Sequence, residues 1–185
     1  AEPFASLRLQ EILAMDPDAI VEQVRQIHDD YYKGKFDSAA FWNLVISHFE
    51  LKQDAEINPV ALSSAYKNSY NIYPEVFKAA ENLKKRYPVA LISNLTPEMR
   101  DHIKKAHQSG LYFYPEQYSC DEDTQAMKPD AKPYQLMLKK LKIPSFNCLF
   151  IDDSVKNIEA ARLLSFQTIL FKTPEQLLEE LKPLL

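Results

Sequence analysis

The chain has 185 residues, of which 46% are hydrophobic and 26% are charged, and its formal net charge at pH 7 is -4. This composition is typical of a globular protein built as one domain with a smaller appendage. The lack of a basic surplus argues against a nucleic acid or an anionic membrane as partner, and favours a small molecule.

Cysteine, glycine and hydropathy patterns narrow the class further. Cys120 and Cys148 are too few for a disulfide framework and form no C-x-x-C motif, so we expect the reducing cytoplasm. Gly34 and Gly110 alone cannot form a G-x-G-x-x-G or Walker loop. No apolar run has the length of a bilayer span and no signal-peptide pattern is present, so we expect a soluble protein without a membrane partner.

The chain up to about residue 72 is predicted to be helical throughout. Asp16 and Pro17 are typical of a helix start, and an apolar stripe leads from them to Gly34. A third helix is predicted from Asp37, and a fourth over 59–70. The stripe of the first predicted helix consists of Phe4, Leu7, Ile12 and Leu13.

From about residue 73 the pattern changes to strands that alternate with helices. Short apolar runs predict strands at "VALIS" (89–93), "LYFY" (111–114), "CLFI" (148–151) and "TILF" (168–171). Helical spacing predicts helices over 75–86, 96–107, 134–141 and 155–164, with a last helix from Thr173. This alternation predicts an α/β fold, in which residues 1–72 form a helical cap segment and residues 73–185 a Rossmann-like core with a parallel sheet.

Polar residues follow the strands at the edge where parallel α/β sheets bind ligands. Ser93 and Asn94 end the first strong strand, Asp152 and Asp153 end the next, and Lys128 lies between them in "MKPDAKPY". A hydroxyl and amides bind phosphate oxygens, a lysine supplies positive charge, and paired carboxylates bind Mg²⁺. Together these groups predict phosphoryl transfer. The two adjacent aspartates fit this prediction, because a divalent cation between them and the phosphate removes their repulsion.

On these residues the chain resembles the haloacid dehalogenase-like (HAD) hydrolases with an early helical cap. "LISN", "MKPDAKPY" and "LFIDDSVKNIEAAR" are similar to the second, third and fourth family motifs, in the family's order. "LAMDPDAI" and "YYKGKFDSAAFW" are similar to cap segments. The resemblance covers nearly all of the chain.

The resemblance implies a Mg²⁺-dependent phosphatase that acts on a small phosphorylated metabolite through an aspartyl-phosphate. It implies that Ser93 and Asn94 bind the transferring phosphoryl group and that Lys128 stabilises its charge. It implies that Asp153 ligates Mg²⁺, with Asp152 assisting directly or through water.

The resemblance also implies roles outside this set. Asn157 is expected to hold the loop after the fourth motif, and the cap to close over the substrate and set its specificity. Ser165 stands where relatives usually have glycine before the last strand. The sequence determines neither the substrate nor the oligomeric state.

The family's first motif, an apolar strand ending in D-x-D with the nucleophile, is not present in the sequence. Asp16 and Asp18 have the spacing but mark a helix start, and Asp121 and Asp123 lie between a strand and Lys128. Without this strand, two strand edges would face each other unpaired. We therefore expect an N-terminal truncation, a strand supplied by another chain, or a degenerate relative, and no turnover by the chain as it stands.

Other interpretations stand beside these. An aspartate of the pair could simply cap the next helix, Ser93 and Asn94 could be turn formers, and Lys128 alone could be a solvated surface residue. At the level of function, the alternatives are a non-catalytic phospho-ligand or partner-binding protein, and a haloacid dehalogenase, which needs no cation. A receiver-type domain is disfavoured because its acidic pair comes first in the chain.

Overall fold

The structure, a computed structural model, describes residues 7–68 and 72–185. The helices of this part are α1 (Leu7–Leu13), α2 (Pro17–Gln23), α3 (Arg25–Tyr32), α4 (Ser38–His48), α5 (Pro59–Asn68), α6 (Pro74–Leu83), α7 (Pro97–His107), α8 (Ala131–Leu141), α9 (Val155–Leu163) and α10 (Pro174–Leu181). The strands are β1 (Leu91–Ser93), β2 (Glu116–Tyr118), β3 (Leu149–Asp152) and β4 (Gln167–Leu170).

The helical segment, which comprises α1 to α5, begins and ends its helices largely where local signals predict. Asp16 caps α2 by accepting a hydrogen bond from the Asp18 amide, and Asp37 caps α4 through the Ala40 amide. The predicted long second helix is instead two helices that meet at Val24, whose backbone leaves the helical region. Phe4 lies outside the described residues.

Four strands form two separate parallel pairs. β1 pairs with β2, and β3 pairs with β4. The parallel α/β core predicted from the sequence is therefore confirmed, as two half-sheets within the described residues.

The prediction of a strand at "LYFY" is wrong, since β2 lies at Glu116–Tyr118. The apolar pattern of this stretch has another cause, because Tyr112 and Phe113 pack edge-on against Phe77 of α6. The polar β2 residue Gln117 is fully buried and donates its side-chain amide to the Pro133 carbonyl at 2.6 Å.

One hydrophobic core joins the helical segment to the first half-sheet. Trp42, Tyr66 and Leu62 of α4 and α5 are buried in it together with Met99 and Ile103 of α7. We use the term joint for the boundary between the helical segment on one side and α7, the first half-sheet and the loop after β2 on the other. The predicted domain boundary near residue 72 stays a prediction.

A groove of about 500 Å³ separates the two half-sheets. Apolar side chains line it, among them Leu91 and Ile92 of β1, Leu149 and Ile151 of β3, and residues of α6, α8 and α10. Within the described residues no strand fills it, so the two unpaired edges predicted from the sequence face each other across this groove.

Backbone pairing shows which edges are open. Val89 and Ser93 give their carbonyls to the β2 side, and Cys148 and Asp152 give theirs to the β4 side. Because alternate residues of a strand direct their backbone groups to opposite edges, Ile92 of β1 and Leu149 and Ile151 of β3 direct theirs towards the groove. Both half-sheets thus present backbone donors and acceptors to the same space.

Candidate active site

The loop after β1 is tied to the segment that contains Lys128. The side-chain amide of Asn94 donates to the Lys128 carbonyl at 2.8 Å, and the Asn94 side-chain oxygen accepts from the Lys128 amide at 2.8 Å. The Lys128–Pro129 peptide bond is cis. The pair of bonds sets Asn94 and Lys128 side by side, with Ser93 adjacent at the end of β1.

The Lys128 ammonium lies where the two half-sheets come together at their carboxyl ends. It donates to an Asp152 carboxylate oxygen at 2.6 Å and to the Ile92 carbonyl at 2.9 Å. It also lies 5.5 Å from the centre of the Phe150 ring. Only 9% of the lysine side chain and 5% of the aspartate side chain are exposed, so the ion pair is largely removed from water.

Asp152 is fixed on its other side by the loop that begins α9. Its second oxygen accepts from the Ser154 amide and from the Asn157 side-chain amide, each at 2.9 Å. The Tyr134 hydroxyl donates to the Asn157 carbonyl at 3.0 Å, and burial together with the Asp152 charge raises the pKa of this tyrosine. Asn157 therefore holds the loop, and Asp152 orients Lys128.

Asp153 is exposed at the end of β3, directly beside Asp152. The described residues contain no group of three or more His, Cys, Asp or Glu side chains arranged for a metal. Mg²⁺, however, is commonly held by one or two carboxylates together with substrate phosphate and water. An exposed carboxylate at a strand end fits that mode, and Asp152 has accepted three hydrogen bonds and has one lone-pair position left.

Neither alternative D-x-D pair is hydrogen-bonded to Lys128, whose side chain and amide bind Ile92, Asp152 and Asn94. Asp16 caps α2, and Asp121 accepts the Tyr118 amide at 2.8 Å and pairs with Arg100 at 3.3 Å. Asp123 pairs with Lys140 at 3.1 Å on an exposed surface. Each of these three aspartates thus has a local structural role of its own.

Sequence reasoning missed Glu98, which lies four residues after Asn94 in the first turn of α7. Its carboxylate accepts hydrogen bonds from α3, α4 and α5. An acidic residue in the first helical turn is common, because it favours the helix dipole. Nothing in the local sequence indicates partners 35 to 67 residues away.

Comparison of the amino-acid sequence with family models identifies the family. Residues 10–164 match the family model of haloacid dehalogenase-like hydrolases. No curated protein matches the sequence.

Among solved structures, the chain is similar to the HAD family enzyme BT-2542 of Bacteroides thetaiotaomicron, with 19% identity, a TM-score of 0.77, and coverage of 98% of this chain and 88% of that one. A wild-type BT-2542 structure in complex with magnesium and inorganic phosphate matches with 18% identity and a TM-score of 0.66, over 85% of this chain and 87% of that one. A predicted HAD-like hydrolase of Porphyromonas gingivalis matches with 16% identity and a TM-score of 0.71, over 91% and 90%. These neighbours share the fold.

The fold and the strand-end residues define a parallel α/β protein with its polar cluster at the carboxyl edge of the sheet. The match over most of the sequence makes the class specific: the chain belongs to the haloacid dehalogenase-like hydrolases. Among the helices of residues 7–68 and 72–185, none combines the length and the apolarity that crossing a bilayer requires.

Proposed function

We propose that this protein is the main part of a Mg²⁺-dependent phosphatase of a small phosphorylated metabolite, and that its nucleophile lies on a further strand that enters the groove. The observation on which this rests is the Lys128 ammonium, which is hydrogen-bonded to the ends of both half-sheets at the mouth of the groove. A lysine held there by a buried carboxylate provides a fixed positive charge for a phosphoryl group.

The groove has the features of a strand site. It is flanked by β1 and β3, whose carboxyl-end residues Ile92 and Asp152 both bind the Lys128 ammonium, it is lined by apolar side chains, and both of its edges offer backbone groups. A parallel strand paired with both edges would end at the Lys128 ammonium. An aspartate at that end would be attracted by the lysine charge.

The phosphate would lie above the ends of β1 and the added strand. Ser93 and the amides that follow it would bind phosphate oxygens, and Lys128 would balance the developing charge. Asn94 keeps Lys128 in place through its two hydrogen bonds. Asp153, assisted by Asp152, would hold Mg²⁺, which neutralises phosphate charge when bound. A structure of BT-2542 in complex with magnesium and inorganic phosphate supports magnesium and phosphate as the two species bound here.

In the proposed reaction, a carboxylate oxygen of the added strand forms a bond to phosphorus while the bond from phosphorus to the substrate oxygen breaks. The leaving oxygen takes a proton from an acid of the same strand. Water then attacks phosphorus, gives up its proton to that acid, and releases inorganic phosphate and the free aspartate. Because the added strand supplies both groups, the chain without it is expected to be inactive.

Supplying the strand tests the proposal. We would add an eight-residue apolar peptide that ends in Asp-x-Asp, or fuse it before Ala1, and follow hydrolysis of an aryl phosphate with Mg²⁺. We expect no turnover by the chain alone and Mg²⁺-dependent turnover with the peptide. Turnover by the chain alone, with no peptide, would contradict the proposed role of the groove.

Two controls separate binding from chemistry. A peptide that ends in Asn-x-Asn should still bind the groove, more weakly because it lacks the attraction to Lys128, and should support no turnover. In the complemented protein Asp153→Asn should abolish Mg²⁺ binding in titration calorimetry while the circular dichroism spectrum is unchanged. A peptide that binds without giving turnover of any phosphate ester would make the non-catalytic, ligand-binding interpretation the better one.

A further inference from the structure

Glu98 gathers hydrogen bonds from three helices that are distant in sequence. One carboxylate oxygen accepts from the Tyr31 hydroxyl at 2.6 Å and from the Trp42 indole at 3.3 Å. The other accepts from the Ser38 hydroxyl at 2.6 Å and from the Ser63 hydroxyl. The donors come from α3, α4 and α5, whereas Glu98 belongs to α7 on the other side of the joint.

These bonds use the full capacity of a carboxylate, which has about four lone-pair positions. All of the donors are neutral, and two of them, Tyr31 and Trp42, are completely buried. Burial, and then the hydrogen bond to Glu98, raise the pKa of Tyr31 far above its usual range, so the hydroxyl stays a donor. Removing the carboxylate would therefore take the shared acceptor away from several buried donors at once, which costs more than the loss of a single surface bond.

A second feature shows that the joint is tightly packed. Gly34, in the turn after α3, has a φ of +76°, and a Cβ placed on it would lie 2.6 Å from the Cys120 carbonyl oxygen. Such a distance is shorter than any real Cβ contact tolerates. Backbone of the helical segment therefore lies directly against the backbone of the loop that follows β2, with no space for a side chain.

From these observations we infer that Glu98 locks the helical segment onto α7, so that the segment is a fixed wall beside the Ser93–Asn94 loop and does not swing open and closed. This differs from the expectation of a closing cap. Glu98 is a positioning residue, because it holds the first turn of α7, which follows directly after that loop. The lock does not depend on the reaction, whereas its consequence for the substrate rests on the proposed function.

The consequence concerns specificity. A lid that closes can adapt to its substrate, whereas a fixed wall offers a preset surface. The class of substrate is then limited to phosphate esters small enough to enter the space that the joint leaves open. A longer or bulkier ester would be excluded, because the helical segment does not move to admit it.

Hydrogen exchange of the whole chain tests the lock without any need for turnover. In Glu98→Gln we expect amide exchange in α4 and α5 to rise at least tenfold, with α8 and α9 unchanged, because local opening of the segment is released. Trp42 is the only tryptophan of the chain, so its emission should shift in the same variant. Glu81→Gln, which changes an exposed glutamate of α6, is the matched control and should leave both measurements unchanged.

Two further variants keep the test decisive. Gly34→Ala should open the same helices, whereas adding Ser38→Ala to Glu98→Ala should raise exchange no further than Glu98→Ala alone, because the Ser38 hydroxyl has then already lost its acceptor. A rise in exchange that is equal in α4, α5, α8 and α9 would mean general destabilisation and would overturn the lock. Unchanged exchange in α4 and α5 would overturn it as well. Because the readout is structural, its failure is distinguishable from failure of the phosphatase proposal.

Discussion

The joint and the groove are two boundaries of the same molecule, and they differ in completeness. At the joint, aromatic side chains are buried on both sides and a carboxylate takes up the donors of three helices. At the groove, Leu91, Ile92, Leu149 and Ile151 are only half-buried and strand edges face open space. One boundary is closed by residues of the described chain, and the other has the form of a site for an additional strand.

The difference shows that β1 and β3 keep their strand geometry although, within residues 7–68 and 72–185, no strand pairs with the edges that face the groove. Each half-sheet keeps its register because helices pack on its faces, and Lys128 joins the two through Ile92 and Asp152. A strand entering the groove would compete with the lysine for the Ile92 carbonyl. We therefore expect the lysine to give up its bond to the Ile92 carbonyl when the groove is filled, while Asp152 keeps the ammonium at the mouth of the groove.

The largest effect on stability is expected from removing the ion pair between Lys128 and Asp152. Lys128→Met leaves the buried Asp152 carboxylate without its cation, and we expect the free energy of unfolding to fall by about 3–5 kcal/mol in urea titration. Lys132→Met, an exposed lysine of the same segment, should change it by less than about 0.5 kcal/mol. A further Asp152→Asn in the Lys128→Met background should recover part of the loss, because asparagine carries no charge and keeps an oxygen for the Ser154 and Asn157 amides. Equal effects of the two lysine variants would show that the link contributes nothing to stability.

A smaller effect separates the two boundaries directly. Leu62 is fully buried at the joint, so Leu62→Ala should cost about 2–5 kcal/mol through a new cavity. Leu149 lines the groove and is only half-buried, so Leu149→Ala should cost about 1 kcal/mol, because it enlarges a space that is already open. Equal losses in denaturant unfolding would mean that the groove is closed in solution.

The smallest expected change is chemical and uses the two cysteines. Cys120 is buried at the joint, and burial raises its pKa to about 11, which lowers its thiolate fraction about 100-fold relative to a thiol of pKa 9.0. Cys148 lines the groove and is half-buried, although burial raises its pKa too. We expect iodoacetamide at neutral pH to modify Cys148 first, as shown by mass spectrometry of peptides. Faster modification of Cys120 would place the open boundary at the joint instead.

Adding the Asp-x-Asp peptide sharpens this last comparison. A strand in the groove should slow the modification of Cys148 and leave that of Cys120 unchanged. Protection of both cysteines would indicate a general stabilisation and not occupation of the groove.

Much of the architecture follows from local patterns. Asp16 and Asp37 marked helix starts that the structure confirms, and the apolar runs before Ser93 and Asp152 marked β1 and β3 to within two residues. Parallel strands direct their carboxyl ends to one edge, which is why Asn94, Lys128 and Asp152 could be grouped from the sequence.

Other features were decided only by the tertiary structure, because they depend on residues far apart in the chain. The stretch 111–114 looked like a strand, but its aromatic rings found partners on α6, and the polar residues 116–118 formed β2. The sequence placed Asp152 and Asp153 together, whereas the fold divided them into a buried partner of Lys128 and an exposed carboxylate.

What the sequence by itself determined is therefore the set of elements, the family and the residues at the strand ends, since caps, periodicity and motifs are properties of neighbouring residues. What only the tertiary structure decided is the role of Glu98 and the contrast between joint and groove. The role of a buried carboxylate depends on the donors around it in the folded protein, and the donors to Glu98 lie 35 to 67 residues away in the sequence.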